Sequence, residues 1–337
     1  MRIAVLGLGF MGSTHIQALQ SIPGVTLAAV FSRDQKKLSG DLSAVQGNIG
    51  GPGGVYDFSK LRCCSEIEEI IDDASIDAVD ICLPTDLHAA VAKEALEAGK
   101  DVLLEKPMAL DAASARRLVA QAAAHGRILM TAHVLRFMPP YRALIDNLAD
   151  GRLGSVRHAT FRRRCAAPAW SGWLADPKHS GGGAFDLLIH DVDMALRLFG
   201  PPAFVSAFGY EDLPRGIDVI SGQLHYPGQG TAIIAGGWHH PKSYPFSMEY
   251  TVVADRGTLE YSSQGREPTL YADGAASPLP LDTADGYRAE LAYFVECCQK
   301  RARPTLCPPE DSAAAVALMQ LLLDARNRNG ERIPCNL

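Results

Sequence analysis

Over roughly the first 130 residues, short uninterrupted apolar runs alternate with longer stretches of helical spacing. The runs at 3–6, 27–31, 78–83, 102–104 and 128–131 read as strands buried on both faces. Between them, 15–20, 65–71, 88–98 and 112–124 carry helical patterns, the last Ala-rich and preceded by Asp111, a suitable N-cap. Strand and helix in alternation predict βα units around a parallel sheet. Residues 47–54, with five glycines and a proline, predict a loop.

The texture changes after Phe137. A helix over 141–149 precedes segments at 155–164, 219–226, 231–238, 247–254 and 258–261, rich in β-branched and aromatic residues with polar partners at every second position. That period predicts a largely antiparallel sheet with one more polar face. Helices are expected at 184–199 and at 309–328, where Ala315, Leu318, Leu322 and Ala325 form one apolar stripe. The expected architecture is an α/β domain over 1–132 with a parallel sheet, then an α+β domain over 133–337 with a large open sheet, mostly antiparallel.

Composition agrees with two unlike halves. The 337 residues are more than twice a typical domain of about 150. Of 24 aromatics (11 Phe, 10 Tyr, 3 Trp) only Phe10, Phe31, Tyr56 and Phe58 precede Phe137. Hydrophobic residues at 47% and charged ones at 21% exclude a disordered or fibrous chain. With 32 basic and 38 acidic side chains the formal charge is −6, which disfavours nucleic-acid or membrane-surface binding driven by charge. The apolar start is broken by glycines and has no secretory cleavage pattern, so a cytoplasmic protein is expected. Eight cysteines, none in C-x-x-C spacing, read as reduced structural thiols without metal or disulfide.

Chemistry enters with Gly7-x-Gly9-x-x-Gly12, which follows the first predicted strand and opens a helix. The first glycine permits the tight turn, the second lets backbone approach a pyrophosphate, and the third lets helix and strand pack closely. A dinucleotide is the expected ligand, with Phe10 and Met11 inside its turn. Where an acidic residue would hold the adenosine ribose, the second strand ends in Ser32-Arg33-Asp34. Ser32 can bond the ribose and Arg33 can pair a 2′-phosphate, which favours NADP(H) over NAD(H). At the end of another strand, Glu105-Lys106-Pro107 aims a lysine at the ligand edge of the sheet. In the second half, Gly181-Gly182-Gly183 leads into a helix that sets Asp186 and His190 four residues apart on one face. A carboxylate can there orient an imidazole suited to proton transfer. Asp191 and Asp193 beside His190 point in other directions, so no metal is expected.

These segments, with Leu83-Pro84-Thr85-Asp86-Leu87-His88 between them, together resemble the Gfo/Idh/MocA family of NAD(P)-dependent oxidoreductases along essentially the whole chain. The resemblance implies a Rossmann domain followed by a sheet domain through which dimers or tetramers form. It also implies Lys106, Asp186 and His190 as catalytic residues, with Pro84, Thr85, His88, Glu105 and Lys106 along the cofactor. The implied reaction moves a hydride between nicotinamide and a secondary alcohol of a sugar, polyol or cyclitol. His190 would act as base or acid, Lys106 would orient the hydroxyl, and Asp186 would orient His190. His133, Arg136, Trp170 and Trp173 are candidates for the substrate pocket. Two other functions remain open from the residues: a nucleotide-sensing regulator of the same fold, and a glycosidase that uses transient oxidation.

Overall fold

The computed structural model describes residues 1–47, 53–168, 172–228 and 230–337. The chain divides into two compact units, Met1–Val134 with Asp285–Ala313, and Leu135–Ala284 with Ala314–Leu337. A single cut at 132/133 therefore leaves out one feature: the later segment 285–313 joins the first unit.

In the first unit the elements run β1 (Arg2–Leu6), α1 (Phe10–Leu19), β2 (Thr26–Phe31), α2 (Gln35–Leu38), β3 (Arg62–Cys64), α3 (Glu68–Ile71), β4 (Ala78–Ile81), α4 (Thr85–Glu97), β5 (Asp101–Glu105), α5 (Ala112–Ala124) and β6 (Leu129–Ala132). The six strands form one sheet in the order β3-β2-β1-β4-β5-β6, and every pairing is parallel. The five expected strands are all present, and the sequence pattern missed β3 and the one-turn α2. Short elements carry too few periodic positions to stand out. Side by side in register lie Leu6, Ile81 and Leu104, so the turns after β1, β4 and β5 share one edge. Strand order reverses between β1 and β4, the place where open sheets of this kind bind ligands.

In the second unit α6 (Pro139–Ala149) leads into β7 (Val156–Cys165), the short α7 (Pro177–Ser180) and α8 (Gly183–Phe199). Then follow β8 (Phe204–Asp212), β9 (Ile217–Tyr226), β10 (Gly230–Trp238), β11 (Ser247–Ala254), β12 (Gly257–Ser262), β13 (Arg266–Ala272) and β14 (Ala275–Pro278). Helix α9 (Gly286–Lys300) belongs to the first unit, α10 (Pro309–Asn327) follows, and β15 (Ile333–Pro334) ends the series. The second sheet has nine strands, β14-β13-β12-β11-β7-β10-β9-β8-β15. All its pairings are antiparallel except β7 with β10. Alternation is visible in β9, where Ile220 and Leu224 are buried while Ser221 and Gln223 are exposed. Strands β8, β13, β14 and β15 and helices α7 and α9 have no counterpart in the expected pattern, although Leu291, Phe294, Val295 and Cys298 in α9 do have helical spacing and are buried.

Candidate active site

The glycine turn sits at the switch point of the first sheet, and its three glycines meet different surroundings. Gly7 has φ +105°, and a Cβ there would lie 2.5 Å from the Cys82 carbonyl oxygen. A Cβ on Gly12 would lie 1.9 Å from the Gly7 oxygen, whereas one on Gly9 would meet nothing within 4 Å. The first and third glycines are thus fixed by packing within the protein. The second leaves open space beside the N-terminus of α1, where Gly9 supplies no side-chain cap. Uncapped N–H groups at a helix start and space for close approach are what a pyrophosphate needs. These residues fit a dinucleotide. A Gly12→Val substitution is expected to weaken binding of reduced cofactor by about 10- to 100-fold, as overpacking costs about 1–3 kcal/mol and 1.4 kcal/mol is tenfold. Fluorescence titration measures this directly, and an unchanged dissociation constant would contradict the packing role.

At the end of β2, Ser32 is buried and its Oγ accepts from the Asp34 backbone N–H at 3.1 Å. Asp34 caps α2, its carboxylate accepting from the Lys36 N–H at 2.9 Å. Arg33 lies exposed between them. Next to the glycine turn, α4 starts at Thr85 with Pro84 as its N-cap residue. His88 is buried, with Nδ1 2.7 Å from the Pro107 carbonyl oxygen and Nε2 2.9 Å from that of Leu83. Burial holds its pKa below the ordinary imidazole value. Its ring is thus committed to joining the start of α4 to the Lys106-Pro107 turn, whose peptide bond is cis.

Glu105 is turned inward too. Its carboxylate lies 3.2 Å from His15 Nε2 and accepts from the Lys106 backbone N–H at 3.1 Å. Against its burial, contact with His15 and the Lys106 charge hold its pKa below the usual carboxylate range. Across residues 101–109, Lys106 alone keeps partial exposure. His133, just after β6, is buried.

The second unit repeats this pattern on a helix. Over residues 182–195 every position is buried except Asp186 and His190, which stand one turn apart on α8. Three contacts fix the helix. Asp218 Oδ2 accepts from the Ala184 N–H at 2.9 Å, with Arg326 holding the other carboxylate oxygen. The Trp238 ring packs where a Cβ on Gly183 would come within 2.3 Å. The third contact is a pair of buried ion bridges. Asp191 takes Arg163 Nε at 2.8 Å and Nη2 at 3.0 Å, and Asp193 takes Arg136 Nε at 2.9 Å and Nη2 at 2.7 Å. Arg136, a candidate for the substrate pocket by sequence, is 2% exposed and in this bidentate pair. Trp173 is half-buried in a 3-10 turn at Gly172–Ala175, and Trp170 lies outside the described residues.

Residues 1–133 match a family model described as an oxidoreductase family with an NAD-binding Rossmann fold, and residues 141–260 match its GFO/IDH/MocA C-terminal domain. The chain belongs to the Gfo/Idh/MocA family. It is an NAD(P)-dependent oxidoreductase. Among relatives of this Gfo/Idh/MocA enzyme, the inositol 2-dehydrogenase of Rhizobium meliloti (strain 1021) is 29% identical over 334 residues, 94% of each chain. The D-xylose 1-dehydrogenase (NADP(+)) 2 of Haloferax volcanii is 27% identical over 328 residues, 93% of this chain and 94% of the relative. A levoglucosan dehydrogenase solved with NADH shares the fold, with a TM-score of 0.85 at 17% identity over 100% of this chain and 99% of that one.

Among the described residues one group of metal-ligating type is assembled: His15, Asp80 and Cys82. Sequence reasoning did not find it. The available signal was Asp80, a carboxylate inside the apolar strand β4 and 1% exposed.

Proposed function

We propose that this enzyme transfers a hydride between nicotinamide and a secondary alcohol or ketone carbon of a sugar, polyol or cyclitol. The observation that carries the reading is selective exposure: Lys106 in an otherwise buried turn, Asp186 and His190 on an otherwise buried helix. Buried segments rarely leave only ionisable groups open to solvent without a use for them. Bound nicotinamide supplies the hydride acceptor or donor. Lys106 donates a hydrogen bond to the reacting oxygen and favours its ionisation. His190 takes the hydroxyl proton in oxidation and returns it in reduction, and Asp186 orients its ring. The glycine turn with Phe10 and Met11, and Pro84 and Thr85, bind the cofactor. His88 and Glu105 act by fixing the surrounding backbone. His133, Trp170 and Trp173 are the pocket candidates, with residues 1–132 carrying the cofactor and 133–337 the substrate. Arg136 serves by holding α8.

NADP(H) is the proposed cofactor, supported by the exposed Arg33 and by Asp34 being occupied as a helix cap. Arg33→Asp is expected to weaken NADPH binding by about tenfold relative to NADH, the worth of one charge-assisted hydrogen bond. Parallel titrations with both cofactors check this, and an unchanged ratio would remove Arg33 from the account. A homodimer or homotetramer through the second sheet is supported by the aromatic side chains Phe208 and Tyr210, 63% and 56% exposed on β8. A cytoplasmic location is supported by eight cysteines with no disulfide between them.

Purified protein with each cofactor and a panel of sugars, cyclitols and their keto forms tests the function. Net change in nicotinamide absorbance with at least one member is the expected outcome. Glycoside hydrolysis without net reduction would instead indicate transient oxidation.

A further inference from the structure

The mechanism above assigns no part to the buried pair His15 and Asp80, which meets Glu105 beneath the Lys106 turn. His15 on α1, Asp80 on β4 and Glu105 at the end of β5 are 0%, 1% and 6% exposed. Asp80 is in register with Leu103, so Asp80 and Glu105 project from the same side of the sheet, toward α1. His15 Nδ1 lies 3.1 and 2.9 Å from the two Asp80 oxygens, and Nε2 lies 3.2 Å from Glu105 Oε1. Nδ1 is hydrogen-bonded to Asp80, while Nε2 lies within ion-pair distance of Glu105 without a hydrogen bond to it, and a carboxylate beside each nitrogen favours the doubly protonated ring. The other groups facing it are the Cys82 thiol, which donates to Asp80 at 3.5 Å, and the Tyr287 ring of α9, centred 6.5 Å away. Burial alone would lower the His15 pKa. Asp80 and Cys82 outweigh it and raise the pKa well above the ordinary value.

A buried carboxylate needs a compensating charge. Beside the Glu105 carboxylate lie the His15 ring, 3.2 Å away, and the adjoining residue Lys106, whose charge helps to lower the Glu105 pKa. We propose that His15 is a positioning residue: by holding the Glu105 carboxylate from below, it leaves the Lys106 ammonium directed outward to the reacting oxygen. The role of Lys106 rests on the function proposed above. Without the His15 ring, Glu105 draws the Lys106 side chain inward, where it neither meets solvent nor reaches a substrate hydroxyl.

The test uses the full-length protein and reads Lys106 twice, by turnover and by its rate of reductive methylation in mass spectrometry. His15→Gln is expected to slow both by about tenfold, the worth of roughly 1.4 kcal/mol, with reduced-cofactor binding as a check on folding. Adding Glu105→Gln to that variant removes the carboxylate that captures the lysine, and both readouts should recover toward wild type. A merely structural network would be damaged further by the second substitution. A double variant no better than His15→Gln alone, or equal labelling in wild type and His15→Gln, would overturn the proposal. Should His15→Gln not fold, Glu105→Gln alone is expected to label Lys106 at least as fast as wild type, and slower labelling would overturn it equally. Labelling needs no substrate. Failure of the wild type to turn over any polyol would therefore count against the proposed function, while the labelling order still decides the role of His15.

Discussion

Replacing Lys106 with methionine is expected to lower kcat by about 10²–10⁴-fold, the range associated with a positioned proton-handling group. The cofactor dissociation constant should stay nearly unchanged, because the steric fit of the pyrophosphate turn rests on Gly7, Gly9 and Gly12. Methionine retains the length and apolar stem of lysine, so the buried neighbours on both sides of the turn keep their packing. Steady-state kinetics on an identified substrate, with NADPH titration alongside, measure both quantities. If kcat held while binding fell, Lys106 would be a cofactor ligand and not a catalytic group.

The second large effect concerns stability. Arg136→Ala leaves Asp193 as a buried charge without its bidentate partner, both side chains being 1% exposed. Breaking such a pair costs about 3–5 kcal/mol, a large fraction of the stability of most domains. Urea unfolding should register that loss. The double substitution Arg136→Met, Asp193→Leu removes both charges and should recover most of it. Were the single and double variants equally destabilised, the ion pair would not be what holds α8. Because α8 carries Asp186 and His190, Arg136→Ala should also reduce activity at temperatures where the protein remains folded.

The legible part of this molecule is the part governed by local periodicity. Helix α5 matches its expected span 112–124, and β11 its span 247–254, since the Asp111 cap and a β-branched, partly alternating pattern act over a few residues. Gly7, Gly9 and Gly12 were legible because a glycine fingerprint encodes steric demands one by one. Lys106 was marked by its place after a buried strand, and Asp186 and His190 by their spacing of four on one helix face, while their catalytic roles came from the family resemblance. What could not be read is which charges face each other across the fold. His15, Asp80 and Glu105 come together from positions 65 and 25 residues apart, and only strand register brings them into contact. Arg136 is indistinguishable in sequence from a substrate-binding cation until Asp193, 57 residues away, is seen against it. Helix α9 went unpredicted although its buried positions have helical spacing, and nothing local says that residues 285–313 join the first unit.

Direct hydride transfer between nicotinamide and a substrate carbon is the step on which the proposed function depends. The most direct measurement gives the purified enzyme reduced cofactor deuterated at nicotinamide C4 and a keto sugar from the panel, then locates the label by mass spectrometry. Deuterium on the new carbinol carbon of the product, appearing about 10²–10⁴-fold more slowly when Lys106 is replaced by methionine, is the expected result. Product formed without deuterium at that carbon, or cofactor bound tightly with no label leaving it for any carbonyl tested, would contradict the account.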